Sequence, residues 1–143
     1  QMIEVAREEN TQVLGLERIE GEDISKFGVV DPIETGKICK LKGIVEKPSF
    51  SEAPSELAVV GRYIFNGSIF KHINNDAPGK NGEIQITDAI HSDIANFVGY
   101  EFDGKRFDCG SKIGYLKANV EFGLADGELG PALAKYLKGK KDL

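Results

Sequence analysis

Val45-Glu46-Lys47-Pro48 sets a carboxylate beside an ammonium where an apolar run gives way to a loop. An ionised carboxylate only accepts hydrogen bonds and can take them from two neighbouring hydroxyls, while a lysine meets a phosphate as a compact charge. Ligands of open α/β sheets gather at such strand ends. Glu–Lys pairs are also common on solvated turns, and spacing alone favours that plainer account. Phe107-Asp108-Cys109-Gly110 is a second candidate, again between a strand-like run and a helix start. An aspartate there can hold a divalent cation beside phosphates. It can equally cap the helix, and one carboxylate by itself makes a poor metal site. A third stretch, Asn81-Gly82-Glu83-Ile84-Gln85-Ile86-Thr87-Asp88, is a polar lead into a helix that a loop and a cap at Thr87 explain.

The elements that must position these groups follow from periodicity and turn chemistry. Residues 1–8 read as a helix in mid-course, with Met2, Ile3 and Ala6 on one face, which implies preceding sequence. Residues 12–16, 28–33 and 38–45 read as strands, the second stopped by Asp31-Pro32. The two prolines and two serines of 48–54 mark a loop, and the β-branched run 57–65 a central strand. Asn66-Gly67 admits a short helix, and the Asn, Asp, Pro and Gly of 74–82 read as a mobile loop. Thr87 then caps a helix carrying Ile90, Ile94 and Phe97. Val98, Tyr100 and Phe102 alternate as in a strand, and Asp103-Gly104 is a hairpin signal returning the chain through Arg106 and Phe107. A helix from Ser111 to about Phe122 follows, and Gly130-Pro131 opens the last one. The class is α/β, with some antiparallel pairing late in the chain.

The 143 residues suffice for one compact domain with a core. The charge of −5 argues against nucleic acid as the main partner. No apolar run reaches the length that crosses a bilayer, so a membrane role is not expected. Cys39 and Cys109 stand too far apart in sequence for a zinc pattern or a disulfide framework, and a reducing, cytoplasmic setting is expected. His72 and His91 are isolated and read as surface or helix-face residues.

Taken in order, Phe27-Gly28-Val29-Val30, Val45-Glu46-Lys47-Pro48, Val59-Val60-Gly61-Arg62-Tyr63, Gly82-Glu83-Ile84-Gln85-Ile86-Thr87-Asp88-Ala89 and Asp108-Cys109-Gly110 with Gly114-Tyr115 span nearly the whole chain. Together they resemble the bacterial UTP–glucose-1-phosphate uridylyltransferases, or UDP-glucose pyrophosphorylases, of the sugar nucleotidyltransferase family. The resemblance implies the C-terminal part of a Rossmann-like mixed sheet flanked by helices. Residues 1–143 would form its sugar-phosphate side, without the N-terminal nucleotide-binding half. It implies that UTP and glucose 1-phosphate give UDP-glucose and pyrophosphate, with Mg²⁺ bridging phosphates. Glu46 would bind glucose hydroxyls and Lys47 the sugar phosphate. Gly28 would let the backbone approach the sugar, Val59 would offer a backbone contact, and Asp108 would be one of two metal aspartates. Lys47 and Asp108 are thus the expected catalytic residues.

The family's glycine-rich loop, G-x-G-T-R-x-x-P-x-T-K, is absent from this chain, as are the uracil-reading residues and the second metal aspartate. The chain alone is therefore expected to be inactive. Thymidylyltransferase relatives carry arginine where Asn81 stands, which favours the uridylyl branch. Two alternatives stay open: a thymidylyltransferase acting on a related sugar phosphate, and a truncated binding or dimerisation module. Removal of a partnering half predicts an unpaired sheet edge, self-association and a homo-oligomer.

Overall fold

The apolar run that follows the first helix forms β1 (Gln12–Arg18) in the computed structural model, which describes residues 1–73 and 83–140. Among the described residues four strands follow: β2 (Gly28–Pro32), β3 (Ile38–Glu46), β4 (Leu57–Ile64) and β5 (Phe97–Glu101). They lie side by side in the order β1-β4-β2-β3-β5, and β5 returns to β1, so the sheet closes on itself. Among the described residues only the closing β1–β5 pair is parallel. The other pairings are antiparallel, so antiparallel contacts run through the whole sheet and are not confined to the end of the chain. The short β2–β3 connection allows no other arrangement, since a parallel neighbour needs a long crossover. Among the described residues each strand has a neighbour on both sides, and the expected unpaired edge is not found. The mixed α/β class is as expected.

Alternation divides the side chains between two faces. Leu14, Leu16, Val30, Leu41, Ile44, Val59 and Phe97 form the main core. On the other side Val13, Val98 and Tyr100 meet α1 (Met2–Glu8). The buried face of α1 is Met2, Val5 and Ala6; Ile3 points to solvent, one position off the expected stripe. A smaller cluster, Ile24, Val29 and Ala58, sits under the turn of Gly21–Lys26.

α2 (Ile86–Ser92) lays Ala89 and Ile90 into the main core. Its N-cap is Gln85, with Thr87 already in the first turn, so Thr87 is not the cap the sequence suggested. The helix stops at Ser92, and Phe97 heads β5 with its ring edge-on to Phe65 at 5.9 Å. The expected mobile loop at 74–82, with Asn81, lies outside the described residues.

The chain divides into two units, Gln1–Asp103 and Gly104–Leu143. The second holds α3 (Lys112–Ala125) and α4 (Gly130–Lys138). Among the described residues no strand follows Asp103-Gly104, so the hairpin expected there does not form: turn residues alone supply no strand to pair with. Ser111 caps α3, its Oγ accepting from the Gly114 N–H at 3.1 Å. Asp126 Oδ1 accepts from the N–H groups of Leu129 at 2.7 Å and Glu128 at 2.9 Å, folding the turn into α4. No described helix is long and apolar enough to cross a membrane.

Candidate functional site

Register brings three of the expected residues together. Gly28 opens β2 and pairs with Glu46 of β3 on one side and Val59 of β4 on the other. A row of three residues from three strands therefore floors a cavity of about 260 Å³, just under the usual range for small-molecule sites. Gln85 and Thr87 at the start of α2 also line it, as does Tyr63 of β4.

Gly28 leaves the floor open. A Cβ built there would lie 3.2 Å from Glu46 Oε2 and 3.2 Å from Thr87 Cγ2. A side chain would displace the carboxylate and fill the floor. The opposite wall is shaped by a bulge: β1 advances from Leu14 to Leu16 while β4 steps from Tyr63 to Val59. Gly61 takes up the bend with φ of +70°, a conformation suited to glycine. The bulge sets how Val59 and Tyr63 face the cavity.

Glu46 is held with its side chain 22% exposed, whereas that of Lys47 is 62% exposed with Nζ 3.7 Å from Glu46 Oε1. Lys47 adopts φ of +43°, a left-handed conformation uncommon for a residue with a side chain. Its N–H donates to the Phe27 carbonyl at 3.0 Å, which pins this strained turn to the residue before Gly28. Strain of this kind persists where surrounding structure holds it, often at functional sites.

Two hydroxyls were missed by sequence reasoning. Thr87 is 6% exposed, and its buried Oγ1 has no hydrogen-bond partner among the described residues. Buried hydroxyls are rarely left so. Tyr63 stacks on Phe65 with centroids 5.1 Å apart. Burial, and then the charge of Glu46, push its phenol above the ordinary tyrosine value, so it stays a protonated donor. Tyr63 lay inside a quoted motif, but nothing in its spacing distinguishes a cavity-facing ring from a core one. The cavity thus combines a carboxylate acceptor, a protonated phenol and a nearby ammonium, an arrangement suited to a polyol carrying a phosphate.

Asp108 belongs to the second unit, apart from that row of strands in the chain's organisation. Its Oδ1 accepts from the Gly110 N–H at 3.0 Å and its carbonyl from Ser111 Oγ at 3.1 Å. It shapes the turn before α3 and is not the cap. The carboxylate is exposed. It fits one ligand of a hard cation that completes its shell with water and substrate oxygens. No group of three potential ligands occurs among the described residues.

The nucleotidyl transferase family model matches residues 1–123. Over 132 residues the chain is 36% identical to a Bacillus subtilis protein named UTP–glucose-1-phosphate uridylyltransferase, covering 90% of this chain and 45% of that protein. The crystal structure of a UDP-glucose pyrophosphorylase complexed with UDP-glucose is similar at a TM-score of 0.79 and 38% identity, over 85% of this chain and 48% of that one. A UTP-bound pyrophosphorylase from Acinetobacter baumannii is similar at 0.84 and 34%, over 98% and 49%. The chain spans about half the length of the curated relatives it matches.

Proposed function

Because the chain belongs to the nucleotidyl transferase family, we propose that its cavity is the sugar end of an enzyme joining UTP and glucose 1-phosphate into UDP-glucose and pyrophosphate. The observation that carries this reading is the row of Gly28, Glu46 and Val59, set side by side by strand register in a cavity that Tyr63 and Thr87 also line. A half-buried carboxylate beside a strand floor without side chains can accept hydrogen bonds from two neighbouring ligand hydroxyls. Residues 1–143 are then the C-terminal, sugar-phosphate side of the domain, and the nucleotide end belongs to the part of the relatives that this chain does not span.

In the proposed reaction Glu46 accepts hydrogen bonds from two sugar hydroxyls, and the backbone at Gly28 and Val59 approaches the ring. Thr87 and Tyr63 complete the hydroxyl contacts. Lys47 meets the sugar phosphate and holds it for attack. A phosphate oxygen forms a bond to the α-phosphorus of UTP in line, and the bond to pyrophosphate breaks with its electron pair leaving on pyrophosphate. The residues act by position and charge, with no covalent enzyme intermediate. When bound, Mg²⁺ would neutralise phosphate charge, with Asp108 as one protein ligand. We further infer a cytoplasmic homo-oligomer. The free thiols of Cys39 and Cys109 support a reducing compartment, and the exposed Ile113, Leu116 and Phe122 of α3 support association.

The test is initial-rate kinetics on the full-length protein, with pyrophosphate and UDP-glucose both measured. Asp108→Asn is expected to lower kcat far more than it raises the KM for glucose 1-phosphate. Glu46→Gln is expected to do the reverse. Equal effects of the two substitutions on both constants would contradict the assigned roles.

A further inference from the structure

Gln12 is 1% exposed and Asp93 8% exposed, two polar side chains set in the body of the first unit. Gln12 Nε2 donates to Asp93 Oδ2 at 2.9 Å, and Gln12 Oε1 accepts from the Asn66 N–H at 3.1 Å. Asn96 Nδ2 donates to Asp93 Oδ1 at 2.6 Å, and His72 Nε2 lies 3.6 Å from the same oxygen. One carboxylate and one amide therefore tie the start of β1 to two other segments.

Both segments lead to the cavity. Asn66 lies three residues beyond Tyr63, with Phe65 between them stacked on the Tyr63 ring. Asp93 follows α2 directly, and its N–H donates to the Ile90 carbonyl at 3.1 Å. α2 has only seven residues and no side-chain N-cap. A helix that short does not hold itself in water, so its position depends on anchors such as Asp93. Thr87 rides on its first turn, about 9 Å along the axis at 1.5 Å per residue.

We propose that Gln12 and Asp93 are positioning residues for the sugar end of the cavity, fixing Tyr63 through Asn66 and Thr87 through α2. This rests on the function proposed above. Neither side chain lines the cavity, and each acts through the residue it holds.

The experiment uses the full-length protein and two variants, Gln12→Leu and the pair Gln12→Leu/Asp93→Leu. The pair leaves no orphaned carboxylate, which guards against simple unfolding. In either variant the KM for glucose 1-phosphate is expected to rise about tenfold, the effect of one or two misplaced hydrogen bonds, with the KM for UTP within about twofold. Thr87→Ala, which raises that KM in the parent, is expected to add little in either background. Full additivity, or equal shifts in both KM values, would overturn the proposal. Amide exchange provides an arm independent of turnover. Exchange at Asn66 and across 86–92 should quicken about tenfold or more in the paired variant while β2 and β3 keep their protection. Unchanged exchange there would also overturn it. A parent protein with no turnover defeats the proposed function and leaves exchange to decide the positioning.

Discussion

Replacing Gly28 by alanine separates the site from the fold more sharply than any other single change. The added methyl would lie 3.2 Å from Glu46 Oε2, 3.2 Å from Thr87 Cγ2 and 3.6 Å from Ile44 Cδ1. Gly28 does not occupy the left-handed region, so its backbone accepts alanine, and the nearest polar atom is the far end of a flexible side chain. Stability should stay within about 1 kcal/mol of the parent, since alanine also restricts the unfolded chain. The carboxylate must yield by a few tenths of an ångström while the methyl occupies the floor where the sugar would approach. Loss of one charge-assisted hydrogen bond is worth about 1.5–3 kcal/mol. The expected fall in kcat/KM for glucose 1-phosphate is therefore roughly 10- to 100-fold. Thermal unfolding followed beside initial rates at saturating UTP decides the matter. An unchanged kcat/KM in a folded variant would refute the reasoning, and so would a change in the UTP constant alone.

Lys47→Gly removes an ammonium and relieves a strained φ of +43°. Stability should rise by about 0.5–1 kcal/mol while sugar-phosphate affinity falls, and a drop in both would contradict the strain argument. Asp93 is held below the ordinary carboxylate value by the Asn96 amide first, with Gln12, His72 and Ser68 adding to it against the opposing effect of burial. Its folded value is thus lower than its unfolded one, so it adds stability above about pH 4 that fades as the pH falls through the folded value. Urea titrations of the parent and Asp93→Asn should therefore diverge most above about pH 5 and converge in acid, and a gap that is constant down to pH 2 would exclude this.

The strands were legible because each needs only a local pattern. Residues 12–16, 28–33, 38–45 and 57–65 all carry alternating or β-branched runs, and each became a strand within two residues of its expected ends. Their closure was not legible. The parallel pairing of Val13 with Val98 joins residues far apart in the chain, and a run of apolar side chains does not encode its neighbour. Asp103-Gly104 misled for the converse reason, since a turn signal was present without a second strand to receive it.

The site divides in the same way. Glu46 and Lys47 could be picked out as a charged pair at a strand end, and family resemblance raised them above a solvated turn. Gly28 and Val59 were named through the resemblance alone, and register, which sets both beside one another across β2 and β4, gives them a shared place. Thr87 resembled a cap because threonine before a helical run usually is one. The actual cap, Gln85, lies two residues earlier, and only packing against Gly28 exposes what Thr87 faces. Gln12 and Asp93 left no local signal: each ends a polar stretch, Asn10-Thr11 before Gln12 and His91-Ser92 before Asp93, that reads as solvated, and the bond between them spans 81 positions.

The central claim, that this cavity holds the sugar, is tested most directly by a crystal structure of the full-length protein with glucose 1-phosphate bound. The hexose is expected over Gly28 and Val59, with the Glu46 carboxylate within hydrogen-bond reach of two ring hydroxyls and the phosphate beside Lys47. A hexose bound elsewhere, with Glu46 making no contact to it, would contradict this placement.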